Sequence, residues 1–131
     1  MTPVLIPFEQ WHLGQFINRD TGTYDYQPIR MTEGPCFSAL LDGRILGSAG
    51  ICVTFIAKVG VAWASFSAEL LEKYPIWTTR AVRGIVDNSF RTLGLNHIEA
   101  VVNSNSEINM RWLEAAGFKP RMTYVRYVRE A

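Results

Sequence analysis

The stretch from Val61 to Val102 constrains the fold more than any other. Val61–Phe66 (VAWASF) reads as a strand, and His97–Val102 as a second, buried one. Between them Ala81, Val82, Ile85, Val86, Phe90 and Leu93 fall on one face at a 3.6-residue period, which predicts a helix from about Arg80 to Leu93. Arg83, Asp87 and Arg91 lie at i, i+4 and i+8 on the other face, the spacing of a solvated charge ladder. Thr78 or Thr79 is the expected N-cap, and Gly94 ends the helix. A strand, helix, strand unit of this kind makes a right-handed crossover, so the two strands are expected to lie parallel.

The first half of the chain has a different grain. Val4–Ile6 can be a short strand, and Pro7 opens a weak amphipathic helix, Phe8–Phe16, with Phe8, Trp11, Leu13 and Phe16 as its apolar members. Ile17–Glu33 is polar and without periodicity; Asp20-Thr-Gly22 and Pro28 are turn signals, and long loops in small domains are often functional. Cys36–Leu41, Asp42-Gly43 and Arg44–Val53 read as a β-hairpin whose turn residues tolerate positive φ. Gly60 marks a turn. Ser67 can cap a short helix, Ala68–Lys73, which Pro75 stops. Beyond Val102 come a loop, Asn103–Ser106, a helix over Glu107–Ala116 ended by Gly117, and two strands near Phe118–Met122 and Tyr124–Arg129. Hairpins first and alternating helices and strands later predict an α/β (α+β) fold on a mixed sheet, with 1–131 as a single domain.

Charge narrows the function classes. The net charge is only +1, which argues against a polyanion binder. Residues 1–76 hold 5 basic and 7 acidic groups, whereas 77–131 hold 8 and 5, a lean that suits a small anionic ligand. Lys119, Arg121, Arg126 and Arg129 have mixed strand parity and read as surface scatter rather than a nucleic-acid patch. Cys36 and Cys52 sit 16 apart with no zinc spacing, and His12 and His97 sit in no motif, so no metal is expected. The apolar run Ile45–Ala57 is short and broken by Gly47, Ser48 and Gly50, and the start lacks a leader pattern. A cytoplasmic protein without membrane contact is the expectation.

One spot gathers anion-binding chemistry. A helix opening at Trp77-Thr78-Thr79-Arg80 would offer unpaired N–H groups, two hydroxyls and a guanidinium, a setting for a pyrophosphate. Ordinary N-capping accounts for the same residues. The segment Ile98–Phe118, IEAVVNSNSEINMRWLEAAGF, resembles the second half of the GNAT acyltransferase superfamily, with its strand, Asn-bearing loop and helix ending in "WLE..GF". Cys36–Val53, with its Asp-Gly turn and "ILGSAGI", resembles that family's second and third strands, and VAWASF…YPIWTTRAVRGIVDNSF is similar to the cofactor motif of compact GNAT-like proteins of tailed bacteriophages.

The resemblance implies a mixed sheet with splayed middle strands, about four flanking helices, and acetyl-CoA (or another acyl-CoA) as cosubstrate. It places the pantetheine arm along the backbone of Ala64, Ser65 and Phe66, and the pyrophosphate on the N–H groups of Thr78, Thr79, Arg80 and Ala81. Trp77 is a lid on the cofactor or a helix staple, and Asn103 and Ser106 flank the thioester end. The family's phosphate loop is Gly-rich, whereas WTTRAVRG is not; the position that often carries a tyrosine acid holds Leu113, leaving Tyr124 or Tyr127 as substitutes. Arg80 is the expected phosphate contact and Arg83 a ladder partner of Asp87. The activity implied is an N-acyltransferase in which an amine attacks the thioester directly. The alternative is a weak or inactive GNAT-fold phage accessory or virion-assembly protein, and the partner list leaves room for a homodimer or a phage protein.

Overall fold

The computed structural model describes residues 1–25, 33–53, 58–101, 113–115, 117–120 and 126–130. Seven strands form one sheet: β1 Val4–Pro7, β2 Cys36–Leu41, β3 Arg44–Val53, β4 Val59–Phe66, β5 His97–Val101, β6 Lys119–Pro120 and β7 Arg126–Glu130, in the spatial order β1-β2-β3-β4-β5-β7-β6. Every neighbouring pair is antiparallel except β4 and β5, which are parallel. The helices are α1 Ala68–Lys73 and α2 Pro75–Leu93, with a 3-10 turn at Gln10–Gly14 and a helical turn at 113–115. This is the mixed sheet the sequence predicts, and the β4-α2-β5 crossover is its only parallel step among the described residues.

Local chemistry sets most element ends. Asp42 and Gly43 both take positive φ, 50° and 75°, as a two-residue hairpin turn requires. Ser67 caps α1 by accepting from the Leu70 N–H at 3.2 Å, and Arg44 at the hairpin turn forks onto Glu69 of α1 at 2.8 and 2.9 Å. Gly94 closes α2 in the left-handed region, φ 62°.

Two expectations change. The amphipathic helix over Phe8–Phe16 is a 3-10 turn of five residues, because the Glu9 N–H bonds back to Nδ1 of His12 and turns His12 inward beside Leu13. The helix expected to open at Thr78 or Thr79 begins at Pro75, one turn earlier. Pro75 does stop α1, but as the first residue of α2, where its missing N–H costs nothing. The strands of 97–102, 118–122 and 124–129, and the helix over 107–116, lie partly outside the described residues.

The sheet buries two unlike faces. Under α2, Ile51, Ile85, Val86, Leu95, Ile98, Ala100, Leu113 and Phe118 form one apolar cluster, and Ala39, Leu41, Leu46 and Leu70 form a second beneath α1. Each buried Leu, Ile, Val or Phe among them contributes about 1.5–3 kcal/mol. On the opposite face Leu13, Phe16, Ile45 and Trp63 pack under the 3-10 turn. Beside them runs a buried polar row: His12 Nδ1 to Ser38 Oγ at 2.7 Å, and Ser38 Oγ to Ser48 Oγ at 2.7 Å.

Candidate active site

The site lies at the C-terminal end of the parallel pair. β4 and β5 are in register from Val59↔His97 to Ala62↔Ala100, and β4 continues through Trp63, Ala64, Ser65 and Phe66. Strand alternation decides which backbone groups face away from β3. Ile51 and Val53 send their N–H groups toward the β2 side, to Pro35 and Glu33, and Ser67 donates to Leu46 of β3. Val61, Trp63 and Ser65 therefore turn their backbone groups to β3, while Ala62, Ala64 and Phe66 turn theirs away from it. The Phe66 carbonyl accords with this parity, since it accepts from the Arg19 N–H at 2.9 Å. Ala64, which is exposed, presents both its N–H and its C=O on the side away from β3.

A cavity of about 290 Å³ lies against this end of β4. Its walls on the α2 face are Val82, Ile85 and Val86 of α2 with Leu113 and Phe118; on the other face they are Gly50, Trp63, Asn18, Asp20 and Thr21. Ala62, Ala64 and Ala100 line it from the strands themselves. It is thus an apolar slot lined from both sides of the sheet, and Asp20 is the one formally charged side chain among its described lining residues. Gly50 has to be small: a Cβ there would stand 2.9 Å from the Cα of Cys36. Burial raises the Cys36 thiol above the ordinary cysteine range, with a contact from the Trp63 side chain partly opposing the shift.

The sequence-expected site residues are dispersed. Ala64 and Phe66 line the cavity; Ser65 turns its backbone to β3 and its hydroxyl to Asn18 Nδ2 at 3.0 Å. Trp77 packs half-buried against the cluster beneath α1, which makes it part of the helix seat. Thr78 is 1% exposed, its N–H and hydroxyl both given to the Tyr74 carbonyl, at 3.0 and 2.8 Å. The Thr79 hydroxyl donates to the Pro75 carbonyl. With α2 starting at Pro75, the N–H groups of Thr78–Ala81 lie inside the helix, so they do not form the open first turn expected of them; that turn is at Ile76 and Trp77. Arg80 is exposed. Arg83 does not pair with Asp87: it donates to the Ala115 carbonyl, bridging α2 to the turn at 113–115, while Asp87 pairs with Arg129 at 2.5 Å. Asn103, Ser106 and Tyr124 lie outside the described residues, as does the side chain of Tyr127, whose backbone pairs with Ala100. His97 sits at the far end of the parallel pair, 3.2 Å from Glu99.

Residues the sequence reading passed over complete the site: Asn18, Asp20, Thr21 and Gly50. Their one sequence signal is the Asp20-Thr-Gly22 turn in a loop otherwise without pattern.

No protein-family model matches the chain, and no curated protein matches it in sequence. Solved structures do match in shape. A spermidine N-acetyltransferase SpeG chimera from Vibrio cholerae and hSSAT superposes with TM-score 0.73 at 14% identity, over 99% of this chain and 96% of that one. A GNAT-family acetyltransferase from Bacillus anthracis gives 0.71 at 12%, over 99% and 95%. The aminoglycoside acetyltransferase AAC(6')-Ib, in complex with coenzyme A, gives 0.71 at 18%, over 98% and 95%. The chain therefore has the fold of the GNAT acetyltransferases. Among the described residues, no helix is long and apolar enough to cross a membrane.

Proposed function

We propose that the chain is an acyl-CoA-dependent N-acyltransferase that moves an acetyl group to an amine by direct attack. The observation that carries the reading is the apolar slot at the β4–β5 pair, lined by Ala62, Ala64 and Ala100, on the side of β4 to which Ala64 turns its backbone. Backbone groups left in apolar surroundings need partners, and the amides of a pantetheine arm are suited to supply them. The fold neighbours named above include one solved with coenzyme A, which accords with this reading.

Acetyl-CoA supplies an activated thioester: the amine forms the new C–N bond and gives up a proton, the C–S bond breaks, and the thiolate takes one up. The chain's share is positioning and polarisation. The Ala64 N–H is a fixed donor for charge that develops on the acyl oxygen. Val82, Ile85, Val86 and Phe118 keep water from the α2 side of the slot, and the amine enters from the side of Asn18, Asp20 and Trp63. Thermal unfolding with acetyl-CoA and with CoA tests the reading: a ligand at about 100 times its Kd adds about 2.7 kcal/mol of stability. An unshifted transition at millimolar ligand overturns it.

A second reading, a GNAT-fold phage accessory or virion-assembly protein without turnover, draws on Leu113. That side chain is 5% exposed, packs in the cluster under α2 and lines the slot, so it supplies no proton to a leaving thiolate. CoA binding without acetyl transfer to any amine, coupled with transfer gained by Leu113→Tyr, would favour it.

A further inference from the structure

One histidine holds the 3-10 turn to the sheet, and at Nδ1 it does so only as an acceptor. His12 is 1% exposed. Its Nδ1 takes two donors at once, the Glu9 N–H at 3.1 Å and the Ser38 hydroxyl at 2.7 Å. The ring proton is therefore on Nε2, 3.9 Å from Glu9 Oε2, which also accepts from Trp11 Nε1 at 2.9 Å. Phe8 and Trp11 stand edge-on to the imidazole, with ring centroids 6.0 and 4.4 Å away.

A proton on Nδ1 undoes this arrangement. The Ser38 hydroxyl can rotate and become an acceptor. The Glu9 N–H is backbone and cannot, so two donors would face each other at the start of the turn. The charged groups nearby give little relief. Glu9 favours the cation, but its carboxylate lies beside Nε2 at the surface. β1 has no titratable side chain, and β2 has only the Cys36 thiol, which burial keeps neutral. β3 has the Cys52 thiol and Arg44, which is turned onto Glu69 of α1; β4 has none. In the loop that follows the turn, Arg19 pairs with Asp20, and Asp25 accepts from Asn18.

What the turn covers reaches the slot. Leu13 and Phe16 pack with Ile45 and Trp63, and Phe8 meets the Trp63 indole edge-on at 5.2 Å. Trp63 is itself a wall of the slot. A turn that lets go of Ser38 uncovers that wall from behind.

We propose that His12 is a proton-operated latch: neutral, it pins Phe8–Phe16 over Trp63, and protonated, it releases them and leaves the slot without its support on that face. The inference needs no ligand, and its failure leaves the acyltransferase reading untouched. Burial sets the direction. The latched form resists the proton, whereas the released form takes it near the ordinary value of 6.5, so release grows as pH falls from there.

Amide hydrogen exchange on the full chain, each rate divided by its intrinsic rate at that pH, tests it. The N–H groups of Glu9, His12 and Gln15 are those the turn holds. Their opening is expected to rise about tenfold from pH 7.5 to pH 5.5, as follows for a segment that binds one proton only when released. The Trp63 indole N–H is expected to rise with them. All four should exchange faster than the Thr78 N–H inside α2; equal protection would mean that they open only with the whole chain, and overturns the latch. His12→Gln, neutral at every pH, is expected to flatten the response, and a rise by the same factor in that variant also overturns it. If His12→Gln fails to fold, the wild-type imidazole resonances serve: ring titration without a parallel rise in opening is the overturning result. A Trp63 indole that stays protected while the turn exchanges overturns the link to the slot.

Discussion

The two faces of the sheet solve burial in different ways. Under α2 the cluster is hydrocarbon: Ile98 is 0% exposed, Val86 1% and Phe118 2%, and the buried hydroxyls of Thr78 and Ser89 are given to carbonyls one turn back, of Tyr74 and Ile85. Under the 3-10 turn the interior carries a histidine and two serines, His12, Ser38 and Ser48, each at 2% exposure or less. The donors and acceptors in this row are fixed by one bond. The Glu9 N–H donates to His12 Nδ1, so that nitrogen is an acceptor and Ser38 must donate to it. Ser38 is then left to accept from Ser48. The first face is held by area and shape, which many residues share. The second depends on a chain of bonds in which each link needs the next.

The difference predicts unlike failures. Phe118→Ala should cost about 3–5 kcal/mol, because truncating a fully buried aromatic removes its contacts and leaves a void. Equilibrium unfolding in urea measures it, and the loss should be nearly the same at pH 8 and pH 6. A loss below about 1 kcal/mol would show that the α2 face repacks around the gap.

Ser38→Ala should cost about 1–3 kcal/mol, the penalty for a buried acceptor and donor left without partners. Here pH enters. Burial holds His12 below the ordinary histidine value of 6.5, with Glu9 partly opposing the shift. The folded chain then binds this proton less readily than the unfolded chain. Stability is therefore complete above pH 6.5 and declines as pH falls from there toward the lowered folded value. Melting temperatures from pH 8 to pH 5 should show that decline in the wild type and in Phe118→Ala, and a shallower one in His12→Gln. Equal slopes in all three would remove His12 from the account.

The same contrast explains what the sequence discloses. Strand alternation and a 3.6-residue period announce the apolar face, so Val82, Ile85, Val86 and Ile98 are assigned to the core from spacing alone, and the pairing of β4 with β5 follows. Asp42-Gly43, Ser67 and Gly94 mark their turns and caps because backbone geometry restricts the residues that can stand there. The polar face has no such period. Its row is assembled from Ser38 and Ser48, ten residues apart, and from His12, 26 residues from Ser38. Asn18 reaches Ser65 across 47 residues. The start of α2 is hidden for a different reason: Pro75 both ends one helix and begins the next, so the same residue reads as a stop.

Placing that start one turn earlier also changes which arginine should matter for an anionic cosubstrate. Counting from Thr78 or Thr79 puts Arg80 at the open end of the helix. With Pro75 at the first position, Arg80 lies beyond the first turn and exposed, and the open N–H groups fall at Ile76 and Trp77. Arg83 stands one residue from Val82, which lines the slot, and its guanidinium spans to the Ala115 carbonyl on the wall that Leu113 also forms. Among the described residues it is a cation carried next to the slot lining on α2. Arg83→Ala is therefore expected to weaken CoA binding by about tenfold, ~1.4 kcal/mol, and Arg80→Ala by much less. A shortened pantetheine thioester without phosphates should bind both variants as it binds the wild type. Calorimetry separates the cases: a larger loss in Arg80→Ala would return the phosphates to the solvent side of α2, and equal small losses would mean that neither guanidinium holds them.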